Sequence, residues 1–384
     1  MVATLPGRTQ GLGLITEPLM TELQMSRVSY ASLNLWATLI GAAFAVPCGR
    51  LLDRAGARRL LVFLALALGS TVVAMSRLSN WWALAAAVTL TRGLGQSALS
   101  VVSLALVGKW FARRLNYAMG VYSLLVGLGF IAAFPAVGQA VLSLGWRAAW
   151  SGVGVTLAAV VAPAAWLLVR DAPATAAEEG VEGLGAQPAD LTFPEALRTM
   201  AFWVFGLASA TFGLIYSGIA LFNQSILEQR GFPASTYHQV LVVSTLLGLA
   251  ANFGGGWLAT RWPLQRLMGV GMAALTLAVS ALPRVRTGTD VMLYAATMGV
   301  AGGIVTVVFF SVWGQVFGRA HLGRIQGAAQ TLTVLASAVG PLLLAEALAR
   351  TGSYDVIFQG LAIFVALLSV AAWMVPLPAR GTAS

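Results

Sequence analysis

The chain has 384 residues, of which 58% are hydrophobic and only 9% charged, and its formal net charge is +10. Soluble domains carry about 25% charged residues, so this composition, with a mean hydropathy of +0.83, excludes a soluble fold. The positive balance fits arginine-bearing loops facing anionic lipid; no base-reading motif or clustered basic domain supports a nucleic-acid partner.

Apolar runs long enough to cross a bilayer, about 20 residues of helix, follow one another along the chain. We place α1 at 3–19, α2 at 29–49, α3 at 60–77, α4 at 82–108, α5 at 117–141 and α6 at 148–169. The second set is α7 at 201–223, α8 at 236–258, α9 at 266–283, α10 at 291–314, α11 at 325–348 and α12 at 356–376. The α1 run barely spans, contains Pro6, Arg8, Thr9 and Gln10, and lacks the basic start and long apolar core of a cleavable signal. Its true start is expected upstream. Arg170 to Thr199, rich in Pro, Ala and Gly and holding Glu178, Glu179, Glu182 and Glu195, reads as a linker. Its end should form a short surface helix starting at Pro194. The fold class expected is therefore an all-α membrane protein of twelve transmembrane helices. Its parts are a six-helix half at 1–169, a cytoplasmic linker at 170–199 and a second six-helix half at 200–384. Cys48 stands alone in an apolar run, so no internal disulfide forms.

Placing both termini in the cytoplasm puts about twice as many basic residues inside as outside, in accord with the positive-inside rule. Landmarks also recur at a shift of about 207 residues. Gly49, Arg54 and Arg59 fall on Gly256, Arg261 and Arg266; Gly120 falls on Gly327; with a shift of 206, Phe111 falls on Phe317 and Pro135 on Pro341. A same-direction repeat needs an even number of helices per half, which six plus six supplies.

The stretch Gly49-Arg-Leu-Leu-Asp53-Arg54-Ala-Gly56-Ala-Arg58-Arg59 is a polar segment between α2 and α3, expected to be a loop. It resembles the signature loop of the major facilitator superfamily of transporters, Gly-x-x-x-Asp-Arg-x-Gly-x-Arg-Arg. Arg92-Gly-Leu-Gly-Gln96 in α4 resembles that superfamily's second motif, and Gly145-Trp146-Arg147 before α6 its common Gly-Trp-Arg turn. The stretches Lys109–Gly120 and Phe317–Gly327 look like loops of its monocarboxylate and oxalate/formate carriers. The basic residue those carriers place in helix 8, or their lysine in helix 11, has no counterpart here. The resemblance implies a pseudo-symmetric transporter in a bacterial inner membrane, acting by alternating access, with helices 1, 4, 7 and 10 around a central cavity. It also implies that Gly49, Asp53, Arg54, Gly56, Arg58 and Arg59 gate the cytoplasmic side, with Asp53 as a latch.

A charge in the bilayer core is costly and is kept where it meets a cavity or a partner. Arg92 lies about ten residues into α4, roughly 15 Å deep by helix rise, and Arg8 lies within α1. Two guanidinium groups on one cavity would bind an anion, since each can grip a carboxylate through two hydrogen bonds. The alternatives are that Arg92 packs against backbone carbonyls and that Arg8 snorkels to the interface. Gln96, Tyr216, Asn223 and Trp313 are the polar and aromatic wall residues expected around the substrate. Glu17, His238 and Glu346 are the titratable groups available for proton coupling, or else sit at interfaces.

No metal cluster, phosphate-binding loop or Ser/His/Asp set is present, so no enzyme, cofactor or metal is expected. The reading is a monomeric secondary transporter of a small solute, a small organic anion such as a monocarboxylate, with a coupling proton or counter-substrate as further partner. The alternatives are an exporter of amphipathic compounds and a non-transporting membrane sensor.

Overall fold

The structure, a computed structural model, describes residues 1–110, 115–170, 191–318 and 321–378, without the side chains at 46, 49, 50, 53, 108, 109, 115–117, 119, 120, 322 and 323. Its elements are all helical. Among the described residues, ten helices are long and apolar enough to cross a membrane. They correspond to α3–α12, and the first two segments are helical but broken.

α1 is three pieces rather than one rod: a 3₁₀ turn Val2–Gly7, a short helix Thr9–Gly13 and a helix Thr16–Glu22. The expectation of a continuous α1 is thus corrected, and its own residues give the reason. Pro6 lacks an N–H and fixes its φ, and Gly7, Gly11 and Gly13 weaken helix propagation. Arg8 sits at the first break in an extended conformation, φ −85° and ψ 150°. α2 runs Arg27–Ala42 and, after a short interruption, Ala45–Ala55. Ser26 caps its start by accepting from the Ser29 N–H.

The polar stretch between α2 and α3 is not a loop. Helix continues to Ala55, and α3 begins at Ala57 and runs to Met75. The whole connection is Gly56, at φ 80° and ψ 159°, a region only glycine occupies without strain. α4 is Trp81–Thr91, then a π-helical stretch Arg92–Leu99, then Ser100–Trp110. α5 (Leu115–Leu144) follows, and α6 spans Trp146–Leu168 with a second π-helical stretch at Leu157–Val161. The surface helix Phe193–Arg198 forms with Pro194 in its first turn and a capping box between Thr192 and Glu195. The rest of the linker lies outside the described residues. α7–α12 are Met200–Glu228, Ser235–Leu258, Leu264–Ala281, Gly288–Val316, Leu322–Thr351 and Asp355–Met374.

The chain forms two compact units. The first holds α1–α6 with the α7 segment Ala220–Glu228 and Pro233–His238; the second holds the remainder of α7 and α8 with α9–α12. The division therefore crosses α7 and α8 rather than falling only in the linker. The repeat is visible in the elements themselves. α3 and α9 begin at Ala57 and Leu264, 207 residues apart. The positive-φ glycines that precede α6 and α12, Gly145 and Gly352, are separated by the same shift. α5 and α11 are both 30 residues long with an internal proline, Pro135 and Pro341. Arg58 lies 5.6 Å from the Trp166 ring, and Arg266 lies 5.9 Å from the ring of Trp373, the equivalent of Trp166.

In lipid, helices associate by close packing of small residues. In the first unit α3 and α6 meet at Gly69 and Gly154: a Cβ on Gly154 would lie 2.7 Å from the Gly69 carbonyl and 2.8 Å from the Val73 nitrogen. Gly154→Ala is therefore expected to push the two backbones apart and cost about 1–3 kcal/mol. The check is a lower melting temperature in detergent, with Gly152→Ala, where a Cβ meets nothing within 4 Å, as the control.

Candidate functional site

The first unit is organised around Arg92. Its side chain is only 2% exposed. The guanidinium reaches three segments at once: Nη1 donates to the Thr9 hydroxyl at 2.8 Å and the Gly7 carbonyl at 3.3 Å, both in α1. Nη1 also donates to Gln96 Oε1, one turn on in α4, at 2.8 Å, and Nη2 donates to Asn34 Oδ1 of α2 at 2.9 Å. Asn34, itself 1% exposed, donates its Nδ2 to the Tyr30 carbonyl at 3.0 Å.

The local sequence explains this placement. Gly7 lets α1 approach α4 so closely that a Cβ there would lie 2.2 Å from the Thr91 carbonyl. The break at Arg8 frees α1 backbone carbonyls, which cost several kcal/mol each if left unpaired in lipid. Arg92 meets one of them. The π-helical stretch begins at Arg92 itself, and such bulges often mark functional sites. Every partner of Arg92 among the described residues is neutral, and its Nε–H is buried with no acceptor.

Arg8 is half-buried, donates from Nε to Thr4 Oγ1 at 2.7 Å and lies 5.1 Å from the Phe130 ring of α5. Phe130 stacks on Phe134, and nearby in the unit the Tyr122 and Ser103 hydroxyls share a hydrogen bond of 2.8 Å. Arg8, Arg92 and Gln96 are thus gathered around one break in α1, with Gln96 exposed. Asn34, Tyr122 and Phe130 escaped the sequence reading. Asn34 had a signal, as the one amide in the apolar run between Ser29 and Cys48.

The other expected wall residues scatter. Tyr216 is half-buried in the second unit and stacks on Phe212 at 5.4 Å. Asn223 is 4% exposed in the part of α7 that belongs to the first unit. Trp313 is fully buried, with ring centroids 5.6 Å from Phe202, 5.9 Å from Phe309 and 5.7 Å from Phe317. Its ring lies within this aromatic cluster, and its Nε1–H is buried with no acceptor among the described residues.

Of the titratable groups, Glu17 is bound through two hydrogen bonds to Arg27, at 2.5 and 3.0 Å. Glu346 pairs with Arg350 at 3.0 Å. His238 lies flat on α5, where a Cβ at Gly138 would meet its ring at 2.4 Å. Its neighbour Tyr237 donates to the Ala220 carbonyl at 2.9 Å and lies 3.2 Å from that of Gln10. In the signature stretch, Arg58 donates to the Val169 carbonyl at 2.8 Å, so it ties α3 to the end of α6. Arg54 and Arg59 are exposed, Gly56 makes the turn, and the side-chain positions of Gly49 and Asp53 lie outside the described residues.

The Gly-Trp-Arg turn is a clamp. Gly145, at φ 82°, turns the chain, Trp146 Nε1 donates to Glu22 at 2.5 Å, and Arg147 donates to Glu22 at 2.6 Å. Arg147 also donates to the Ser76 and Leu78 carbonyls at 2.8 and 3.0 Å, joining α1, α3 and α6.

A family model, Major Facilitator Superfamily, matches residues 8–341. The chain belongs to the major facilitator superfamily. Solved structures share the fold: the nucleoside transporter NupG, with TM-score 0.74 at 11% identity over 97% of this chain and 96% of that one. A bacterial homolog of the human lysosomal transporter Spinster is also similar. Its inward-facing, unoccupied form gives TM-score 0.70 at 15% identity, and its occupied form 0.66 at 14%, over 97% of this chain and 91% of theirs. No curated protein sequence matches. As a member of the superfamily, the protein is a multi-pass membrane transporter of small solutes.

Bonding to Arg147, and then to Trp146, holds the Glu22 carboxyl below its ordinary value of 4.5. A depressed carboxylate adds stability above its unfolded pKa and loses it as pH falls through the folded one. Glu22→Gln should therefore lower the melting temperature at pH 7, and the gap to the unaltered protein should shrink below about pH 4.5. Melting curves of both proteins across pH 3–8 check this.

Proposed function

We propose that this superfamily member carries a small organic anion, such as a monocarboxylate, by alternating access across a bacterial inner membrane, with both termini cytoplasmic. The observation that carries the reading is Arg92. A buried cation whose described partners are all neutral leaves a net positive field at membrane depth, and a negatively charged solute is the partner that such a field favours. Arg8 beside Phe130 supplies a second cation and an aromatic face, Gln96 an exposed amide, and Asn223, in the same unit, a further polar group on α7. Glu17 and Glu346 are paired with Arg27 and Arg350, and His238 joins them as a candidate carrier of a coupling proton. The packing of Arg92 favours the exporter reading to one extent only: its side chain is not itself exposed, so an apolar cargo would meet Arg8 and the aromatic rings first.

A thermal-shift screen of the detergent-purified protein tests the reading. Lactate, pyruvate and benzoate are compared with their amides and with lipophilic cations; a ligand that binds the folded state raises the melting temperature by mass action. At least one carboxylate should stabilise the protein, and Arg8→Gln should weaken that response about tenfold or more, as expected for losing a charge-assisted pair. Stabilisation by lipophilic compounds alone, indifferent to Arg8, would favour the exporter. For the signature stretch, Asp53→Asn should leave binding intact and slow transport in proteoliposomes several-fold, and an unchanged rate would remove Asp53 from the cycle.

A further inference from the structure

We propose that Asn34 and Gln96 set the carrier's preference for an anion, by converting the buried charge of Arg92 into a fixed, exposed amide donor. The inference rests on the anion reading and names what gives it selectivity.

The orientation of both amides follows from donor bookkeeping. A guanidinium has five N–H donors and no acceptor. Whatever faces it must therefore be an oxygen. At 2.8 Å from Nη1, Gln96 presents Oε1, so its Nε2 lies on the opposite side of the amide. Gln96 is exposed, and among the described residues its Nε2 meets no acceptor. The same reasoning fixes Asn34. Its Oδ1 takes Nη2 at 2.9 Å, and its Nδ2 is spent on the Tyr30 carbonyl at 3.0 Å. Flipping either amide would set an NH2 against the cation. The chain Tyr30 carbonyl, Asn34, Arg92, Gln96 therefore runs in one sense only, and its free end is an N–H donor.

Asn34 is the neutral member of a pair that could have been ionic. Aspartate has nearly the same shape and would give Arg92 a charge-assisted bond, roughly twice as strong as a neutral one. Aspartate would strengthen the bond to Arg92 but would lose the bond that Asn34 Nδ2 donates to the Tyr30 carbonyl. Asparagine holds the guanidinium in place without cancelling its charge. The positive field then persists in a low-dielectric setting, where it acts over several ångströms, and the Gln96 N–H is the group through which it is presented. A carboxylate gains from both the donor and the charge behind it. Its neutral amide gains from the donor only.

The test uses Asn34→Asp and Gln96→Glu in the full-length, detergent-purified protein, with lactate, pyruvate and benzoate and their amides as probes. Asn34→Asp is expected to fold, its charge-assisted bond to Arg92 offsetting the lost bond to the Tyr30 carbonyl. It should need about tenfold or more carboxylate for the same thermal shift, the size expected for cancelling a nearby charge, with no change toward amides. Gln96→Glu, an exposed substitution that replaces the donor by an acceptor, should weaken the carboxylate response at least as much. If Asn34→Asp does not fold, Gln96→Glu decides alone: a response tenfold weaker supports the proposal, and an unchanged one overturns it. An Asn34→Asp protein that folds and responds to carboxylates like the unaltered one overturns the proposal while the anion reading stands. An unaltered protein stabilised by no carboxylate overturns both.

Discussion

A guanidinium buried at membrane depth among neutral acceptors constrains everything else in the first unit. Arg92 donates to α1, α2 and its own helix at once, and none of these contacts survives a shift of one segment. The cost of holding a charge in lipid is several kcal/mol or more. Part of that is offset because the same side chain satisfies a carbonyl that the broken α1 exposes. The break and the arginine are therefore one feature. Pro6 and the glycines stop α1 from being a rod, and Gly7 brings the broken backbone against α4. Arg92 completes the hydrogen bonding that the missing helix would have supplied.

The two units use the same scaffold for different chemistry. Each has a 30-residue helix with an internal proline, a positive-φ glycine before its last helix, and an arginine near a tryptophan, the tryptophans at equivalent positions and the arginines one residue out of register. Yet the polar groups at depth are concentrated in the first unit, around Arg8, Asn34, Arg92 and Gln96. At the corresponding level the second unit has Tyr216 stacked on Phe212, and toward the end of α10 an aromatic core around Trp313.

Hydropathy made the twelve segments legible, because a run of apolar residues bounded by arginines has few other meanings, and the repeat was legible because its landmarks are glycines and prolines with fixed backbone roles. What stayed hidden depends on contacts far apart in sequence. Nothing in the run around Gly49–Arg59 reveals that helix persists to Ala55; polar composition reads as loop, although an exposed helical turn has the same composition. Asn34 looks like an incidental polar residue until α2 is packed against α4. Trp313 reads as a wall residue because large aromatic side chains at depth do line cavities, and only the positions of Phe202, Phe309 and Phe317 show that its ring lies within an aromatic cluster. Arg92 was singled out by its cost in lipid, but whether it is packed or exposed is a matter of where α1 breaks.

The central claim is that the solute brings the negative charge that Arg92 lacks. Uptake into proteoliposomes of labelled lactate, pyruvate and benzoate, measured beside their amides and a lipophilic cation, tests it most directly. The account predicts saturable, protein-dependent uptake of at least one carboxylate that its amide does not compete. Saturable uptake of neutral or cationic compounds, with every carboxylate excluded, would contradict it.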